Sequence, residues 1–138
     1  MAAARPLRLL IVEDHQHLGN ALRRVLSARG HVTELCRSAA QARAACASAG
    51  PARAFECGIF DVGLPDADGV ELARELLALG VVHAAVFFSA GQDDLVRARA
   101  GVLGPFVDKH EGVEALEAAL ASVTASTPQP SSVGRSAC

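Results

Sequence analysis

The stretch Ile59-Phe60-Asp61-Val62-Gly63-Leu64-Pro65-Asp66-Ala67-Asp68-Gly69 decides how this chain of 138 residues is read. An apolar run leaves a core and stops on one carboxylate, Asp61. Gly63 and Pro65 mark a turn, and Pro65 disfavours the helical region at Leu64, holding that residue extended. Asp68 follows with Glu71 three residues on. That pair predicts an N-cap and its reciprocal partner at the start of an amphipathic helix. Asp61 is therefore expected as the last residue of a buried strand, displayed on a rim where loop turns into helix. Alone, such an aspartate serves structure or capping as readily as chemistry.

The pattern repeats outward from this stretch. Residues 7–12 are a short continuous apolar run, the mark of a strand covered on both faces, and they end on Glu13-Asp14. From about His15 the period lengthens, with Leu18, Leu22, Val25 and Leu26 on one helical face and Gly30 as a stop. Residues 31–36 are a weaker strand candidate. Ser38 can cap a helix reaching about Ala47, which Gly50-Pro51 ends, and residues 56–60 then deliver Asp61.

Downstream, Val70, Leu72, Ala73, Leu76 and Leu77 mark a helix closed by Gly80, and residues 84–88 form a fourth apolar run ending on Ser89. Residues 92–100 predict a short, weakly amphipathic helix, with Gly101 and Gly104 around its end. Residues 105–107 predict a brief fifth strand leading to Asp108-Lys109, and Val113, Leu116, Leu120 and Val123 a last helix. Strand and helix alternate five times, which predicts an α/β, doubly wound parallel sheet with helices on both faces. One domain is expected over residues 1–123. Residues 124–138, rich in Ser, Pro and Thr without a period, are expected to be a disordered tail or linker.

Composition narrows the function classes. The length suits one domain with a real core, and 51% hydrophobic residues suit helices packed on a buried sheet. A formal charge of −2 gives no reason to expect direct nucleic-acid or membrane binding. The first apolar run is broken by Arg8 and stopped by Glu13, too short for a signal peptide or a membrane span. A cytoplasmic location is expected. Cys36, Cys46, Cys57 and Cys138 show neither Cys-x-x-Cys spacing nor His partners at zinc intervals, so they read as buried or incidental thiols.

In an open doubly wound sheet, ligands bind outside the carboxyl ends of the strands. Here those ends are Glu13-Asp14, Asp61, Ser89 and Asp108-Lys109. Taken singly, the acidic pair suits a helix start, Ser89 a cap and Lys109 a solvated surface. Together they place three carboxylates, a hydroxyl and an ammonium on one rim. Clustered acids call for a hard cation, and Mg²⁺ suits them better than zinc because no His or Cys is expected at hand. A metal beside a lysine and a hydroxyl orients phosphoryl oxygens, and Asp61 as nucleophile would then form an acyl phosphate.

In this order the residues resemble the receiver domain of bacterial two-component response regulators, over roughly residues 7–123. The resemblance rests on Glu13-Asp14, on Asp61-Val62-Gly63-Leu64-Pro65 with Gly69, on Ser89, on Phe106 and on Lys109. It implies a flavodoxin-like (βα)5 sandwich with a parallel sheet of order 2-1-3-4-5. It implies that a histidine kinase or histidine phosphotransfer protein donates a phosphoryl group to Asp61. Glu13, Asp14, Asp61 and the Gly63 carbonyl would hold Mg²⁺, and Lys109 would pair with Asp61 and later with the phosphoryl group. Ser89 and Phe106 would form the switch, with residues 92–123 as the surface shown to an unknown downstream protein. Such a domain is not a conventional enzyme; it catalyses its own phosphorylation and dephosphorylation.

The sequence also departs from that pattern. His110 follows the lysine where the family usually has proline, and a trans Lys109–His110 bond is expected, with the chain rerouted toward Gly112. The segment from Ser89 to Phe106 is about two residues short for the family, which predicts a stunted fourth helix. Gly63 and Gly91 leave room for water beside the acceptor. Two other functions compete: a phosphate sink or degenerate receiver acting as a protein-binding module, and a haloacid-dehalogenase-like phosphatase. The latter needs a second aspartate two residues past its nucleophile, where this chain has Gly63.

Overall fold

The computed structural model of the protein describes residues 5–125. Each apolar run becomes a strand and each lengthened period a helix. The order is β1 (Arg8–Val12), α1 (Gln16–Ala28), β2 (Val32–Cys36), α2 (Ala39–Ala49), β3 (Cys57–Phe60), α3 (Gly69–Ala78), β4 (Ala85–Ser89), α4 (Asp94–Leu103), β5 (Phe106–Asp108) and α5 (Gly112–Ala125). All five strands are parallel, in the order β2-β1-β3-β4-β5. Val12 pairs with Phe60 and Ser89 with Asp108, so the carboxyl ends of the central strands stop level with one another. That alignment builds the rim.

The strands alternate sides, as the two-residue period requires. Leu10, Val12, Phe60 and Phe87 pack with Ala42 and Cys46 of α2, Leu72 and Leu76 of α3 and Ala100 of α4. Leu9, Ile11, Ile59, Val86 and Phe88 pack with Leu22 and Leu26 of α1 and Leu116 and Leu120 of α5. Three free thiols divide between these layers: Cys36 and Cys46 in the first, Cys57 in the second. β1, β3 and β4 read as unbroken apolar runs because both of their faces are covered.

Helix ends follow local chemistry. Ser38 caps α2, its hydroxyl accepting from Gln41 N at 3.1 Å. Asp68 caps α3 by accepting from Val70 N at 2.8 Å. The expected reciprocal bond from Glu71 does not form, because Arg99 takes that carboxylate at 2.8 Å. A reciprocal box occurs instead before α5: Asp108 accepts from His110 N at 2.8 Å, and Glu111 accepts from Asp108 N at 2.9 Å.

The fourth helix is not stunted. Asp93 caps α4 by accepting from Val96 N, Gly101 lies within the helix, and its 10 residues match the 10 of α3. Thr124 and Ala125, expected in the tail, close α5 instead, the Thr124 hydroxyl donating to Leu120 O at 2.7 Å. The rest of the expected tail, 126–138, lies outside the described residues.

Gly69, the first residue of α3, packs against the backbone that follows β3. A Cβ there would fall 1.9 Å from the carbonyl oxygen of Asp61, so only glycine allows this approach. No helix among the described residues is long and apolar enough to cross a membrane.

Candidate functional site

Asp61 follows β3 directly and is buried at 5% exposure, with Glu13 at 2% and Ser89 at 1% beside it. Each is carried there by a fully covered strand, so their placement is set by core packing and not by loop conformation. Asp61 Oδ1 accepts from the Ser89 hydroxyl at 2.7 Å and from Gly63 N at 3.3 Å. Asp61 Oδ2 accepts from Lys109 Nζ at 2.9 Å. The same ammonium lies 3.0 Å from Glu13 Oε1 and so bridges two buried carboxylates. Ser89 Oγ in turn accepts from Val62 N at 3.4 Å.

These contacts set the charges. Burial alone would raise the Asp61 pKa, but hydrogen bonds from Lys109 and Ser89 outweigh it and hold the carboxyl below its usual range. Glu13 is pushed the other way, by burial first and by the Asp61 charge second. Burial would lower the Lys109 pKa, yet its bonds to Asp61 and Glu13 hold the ammonium above its ordinary value. Asp61 is thus kept anionic, which a nucleophile requires.

One participant was not expected. His15, the residue after the acidic pair, turns its ring back so that Nδ1 sits 2.9 Å from Glu13 Oε2 and 3.5 Å from Asp14 Oδ1. The expectation of an all-oxygen pocket without histidine is therefore corrected; the signal was the adjacency of His15 to Glu13-Asp14. Glu13, Asp14, His15 and Asp61 each offer a ligand atom, and these atoms lie within 4.8 Å of one another. Asp14 Oδ1 is enclosed yet accepts no hydrogen bond. An enclosed carboxylate oxygen without a donor, among other acids, is what a divalent cation would satisfy, so the residues fit a metal.

The remaining residues sit around this centre. Gly63 is exposed, and a Cβ there would meet nothing within 4 Å. Gly91 is open as well but holds φ +74°, so any side chain at that position is strained. Phe106 is half-buried against the first core layer, with the Arg97 guanidinium 4.7 Å from its ring centre. Asp108 turns away from the rim to Arg97 at 2.8 Å. The Lys109–His110 bond is trans, in a 3₁₀ turn over Lys109–Glu111, and Gly112 at φ +87° leads into α5 while Lys109 reaches Asp61.

Residues 9–121 match the model of the response regulator receiver domain. The response regulator MprA of Mycolicibacterium vanbaalenii is 35% identical over 75 residues, 54% of this chain and 31% of that protein. The chain thus covers under a third of the length of the curated relatives it matches. Among solved structures, the non-phosphorylated receiver domain of HemR from Leptospira biflexa is 26% identical with a TM-score of 0.75, covering 91% of this chain and 98% of that one. A response regulator from Burkholderia pseudomallei, described with a phosphorylated aspartic acid, calcium ion and citrate, is 20% identical with a TM-score of 0.72, covering 83% of this chain and 66% of that one. Because the family match runs from β1 into α5 and takes in Glu13, Asp14, Asp61, Ser89 and Lys109, the chain belongs to the response regulator receiver domain family.

Proposed function

We propose that the protein is a phosphoacceptor receiver of a two-component system, taking a phosphoryl group from a phosphohistidine of a histidine kinase or phosphotransfer protein onto Asp61. The observation that carries this reading is the Lys109 ammonium, 2.9 Å from Asp61 and 3.0 Å from Glu13, at the meeting of three strand ends. An Asp61 oxygen attacks phosphorus, an O–P bond forms, and the P–N bond breaks with its electron pair returning to the donor imidazole. Lys109 steadies the attacking carboxylate and then the transferred group. The Ser89 hydroxyl, now on Asp61 Oδ1, turns to a phosphoryl oxygen.

Asp14, Asp61 and the Gly63 carbonyl, with Glu13 acting through water, would hold Mg²⁺. When bound, that ion supplies positive charge to the equatorial phosphoryl oxygens. The acceptor carries about −1.5 to −2 of charge once phosphorylated, enough to bias a bistable surface. Here that surface is residues 92–123, reached through Ser89 and Phe106. The setting is the cytoplasm, where a kinase's phosphohistidine is available.

Incubation with a small phosphodonor and Mg²⁺ labels the wild type, and Asp61→Asn removes the label; full labelling of that variant refutes the assignment. The open space at Gly63 admits water, so the acyl phosphate is short-lived, and Gly63→Met lengthens its lifetime in a label-decay assay. An unchanged lifetime places control of water elsewhere. Amide shifts on phosphate-mimic binding should be larger in residues 92–123 than in 15–50. Shifts confined to the pocket would instead mark a phosphate sink.

A further inference from the structure

We propose that His15 is a nitrogen ligand of the metal site, so that the pocket favours an imidazole-binding first-row divalent ion, from Fe²⁺ to Zn²⁺, over Mg²⁺. This rests on reading Asp14 and Asp61 as metal ligands. His15 occupies the N-cap position of α1, with extended backbone at φ −76° and ψ 112°, yet its side chain caps nothing in that helix. Its ring goes the other way, to the acids. Nδ1 lies 2.9 Å from Glu13 Oε2, and the His15 backbone amide donates to that same oxygen at 3.1 Å, so backbone and ring are held to the cluster together.

Two ligands on one ion are separated by at most twice a metal–ligand bond, about 4–4.6 Å for bonds of about 2.0–2.3 Å. One atom each from Glu13, Asp14, His15 and Asp61 falls within 4.8 Å, so a contraction of a few tenths of an ångström brings Asp14, His15 and Asp61 onto a single ion, with Glu13 reached through water. The undonated Asp14 Oδ1 faces this ring nitrogen across 3.5 Å. A cation between them satisfies both.

Donor chemistry then decides the ion. Mg²⁺ is hard, keeps several waters and gains little from an imidazole. Iron, cobalt, nickel and zinc gain more, in the order in which divalent first-row ions bind nitrogen sites. His15 thus adds selectivity to a pocket whose oxygens bind either kind of ion.

Cobalt(II) is the probe, because a coordinated imidazole shows strongly shifted ring-proton resonances. In the wild type, Co²⁺ shifts the His15 ring protons and excess Mg²⁺ reverses the shift. By calorimetry, His15→Phe lowers the ratio of Co²⁺ to Mg²⁺ affinity by at least about tenfold, the scale that even a lost outer-shell partner produces. His17→Phe, two residues away on the exposed start of α1, leaves the ratio alone. A ratio unmoved by His15→Phe overturns the proposal, as does a shifted ring that belongs to His17, His31, His83 or His110. The wild-type spectrum decides even if the variant fails to fold. Asp14→Asn separates the two readings: if Mg²⁺ binding survives it, the site assignment fails, and if Mg²⁺ binding is lost while the ratio ignores His15, only the role of His15 fails.

Discussion

Two loops leave the rim beside Asp61, and they are held very differently. The β3–α3 loop is tied to three elements. Asp66 accepts from Ala39 N at 2.8 Å and from Ala40 N at 3.0 Å, using both oxygens on the otherwise orphaned first amides of α2. Gly69 N donates to Val62 O at 2.7 Å, and Arg99 of α4 reaches Asp68 at 3.2 Å. The β4–α4 loop has exposed Ala90 and Gly91. Apart from the Asp93 cap, which accepts from Val96 N at 3.0 Å within its own helix start, its ties are local and mostly longer: Gln92 Nε2 to Ser89 Oγ at 3.4 Å and to Ala90 O at 3.2 Å, and Arg97 Nε to Gln92 O at 3.3 Å. The difference assigns rigidity to the side that presents Asp61 and freedom to the side that presents Ser89.

The largest test of that contrast is Gly69→Ala, whose Cβ meets the Asp61 carbonyl at 1.9 Å. Overpacking against backbone costs about 3 kcal/mol, read as a lower urea midpoint by circular dichroism. A cost under about 1 kcal/mol would mean that the acceptor loop gives way, and the contrast would fail.

Asp66→Ala comes next. It lowers the midpoint less than Gly69→Ala but more than any change in the second loop. Its pH dependence is a sharper sign. Hydrogen bonds from Ala39 N and Ala40 N depress the Asp66 pKa below 3.8. A depressed carboxylate contributes stability that is complete above its unfolded value and fades as pH falls through its folded value. The gap between wild type and Asp66→Ala is therefore constant near neutrality and closes below about pH 3.8. A gap that persists in acid removes the charged cap from the account.

Arg97→Leu removes a guanidinium stacked on Phe106 and paired with Asp108. The expected loss is about 0.5–1 kcal/mol, typical of an exposed cation–π contact. Phe106 ring resonances shift as its cover is lost, and unshifted resonances would show that Arg97 does not hold the aromatic. Gln92→Ala is the smallest, within about 0.5 kcal/mol. A larger loss would mean that the second loop is as firmly held as the first.

Both loops also show what a sequence can and cannot reveal. β1, β3 and β4 are legible because burial on both faces forces continuous apolar runs, and their ends put Glu13, Asp61 and Ser89 on the rim without further information. Lys109 is legible because Pro105-Phe106-Val107 leads to it. The docking of Asp66 on α2 is not, since its partners lie 26 and 27 residues upstream and no local pattern couples them. Glu71 has the spacing of a capping box, yet Arg99, far along the chain, outcompetes a backbone amide for it. His15 is overlooked for the opposite reason: a residue adjacent to two acids reads as the start of a helix, and only the backbone turn at the N-cap aims its ring. His110 is resolved by structure as well, because its amide and its ring Nδ1, at 2.8 and 2.7 Å, both meet Asp108, and a proline there would lack the amide donor.

The distribution of thiols across the two layers has a practical consequence for following how this protein opens. The chain contains no Trp or Tyr, so intrinsic fluorescence is nearly silent. Burial pushes the Cys57 thiol up to about 12, and burial with Glu34 nearby does the same for Cys36. Neither forms a reactive thiolate at neutral pH until the structure parts. Alkylation in a Cys138→Ser background thus becomes a clock with two hands, Cys36 and Cys46 timing the α2 side and Cys57 the α1 and α5 side. Early labelling of Cys36 and Cys46 with Cys57 silent would show the sheet unzipping from its β2 edge.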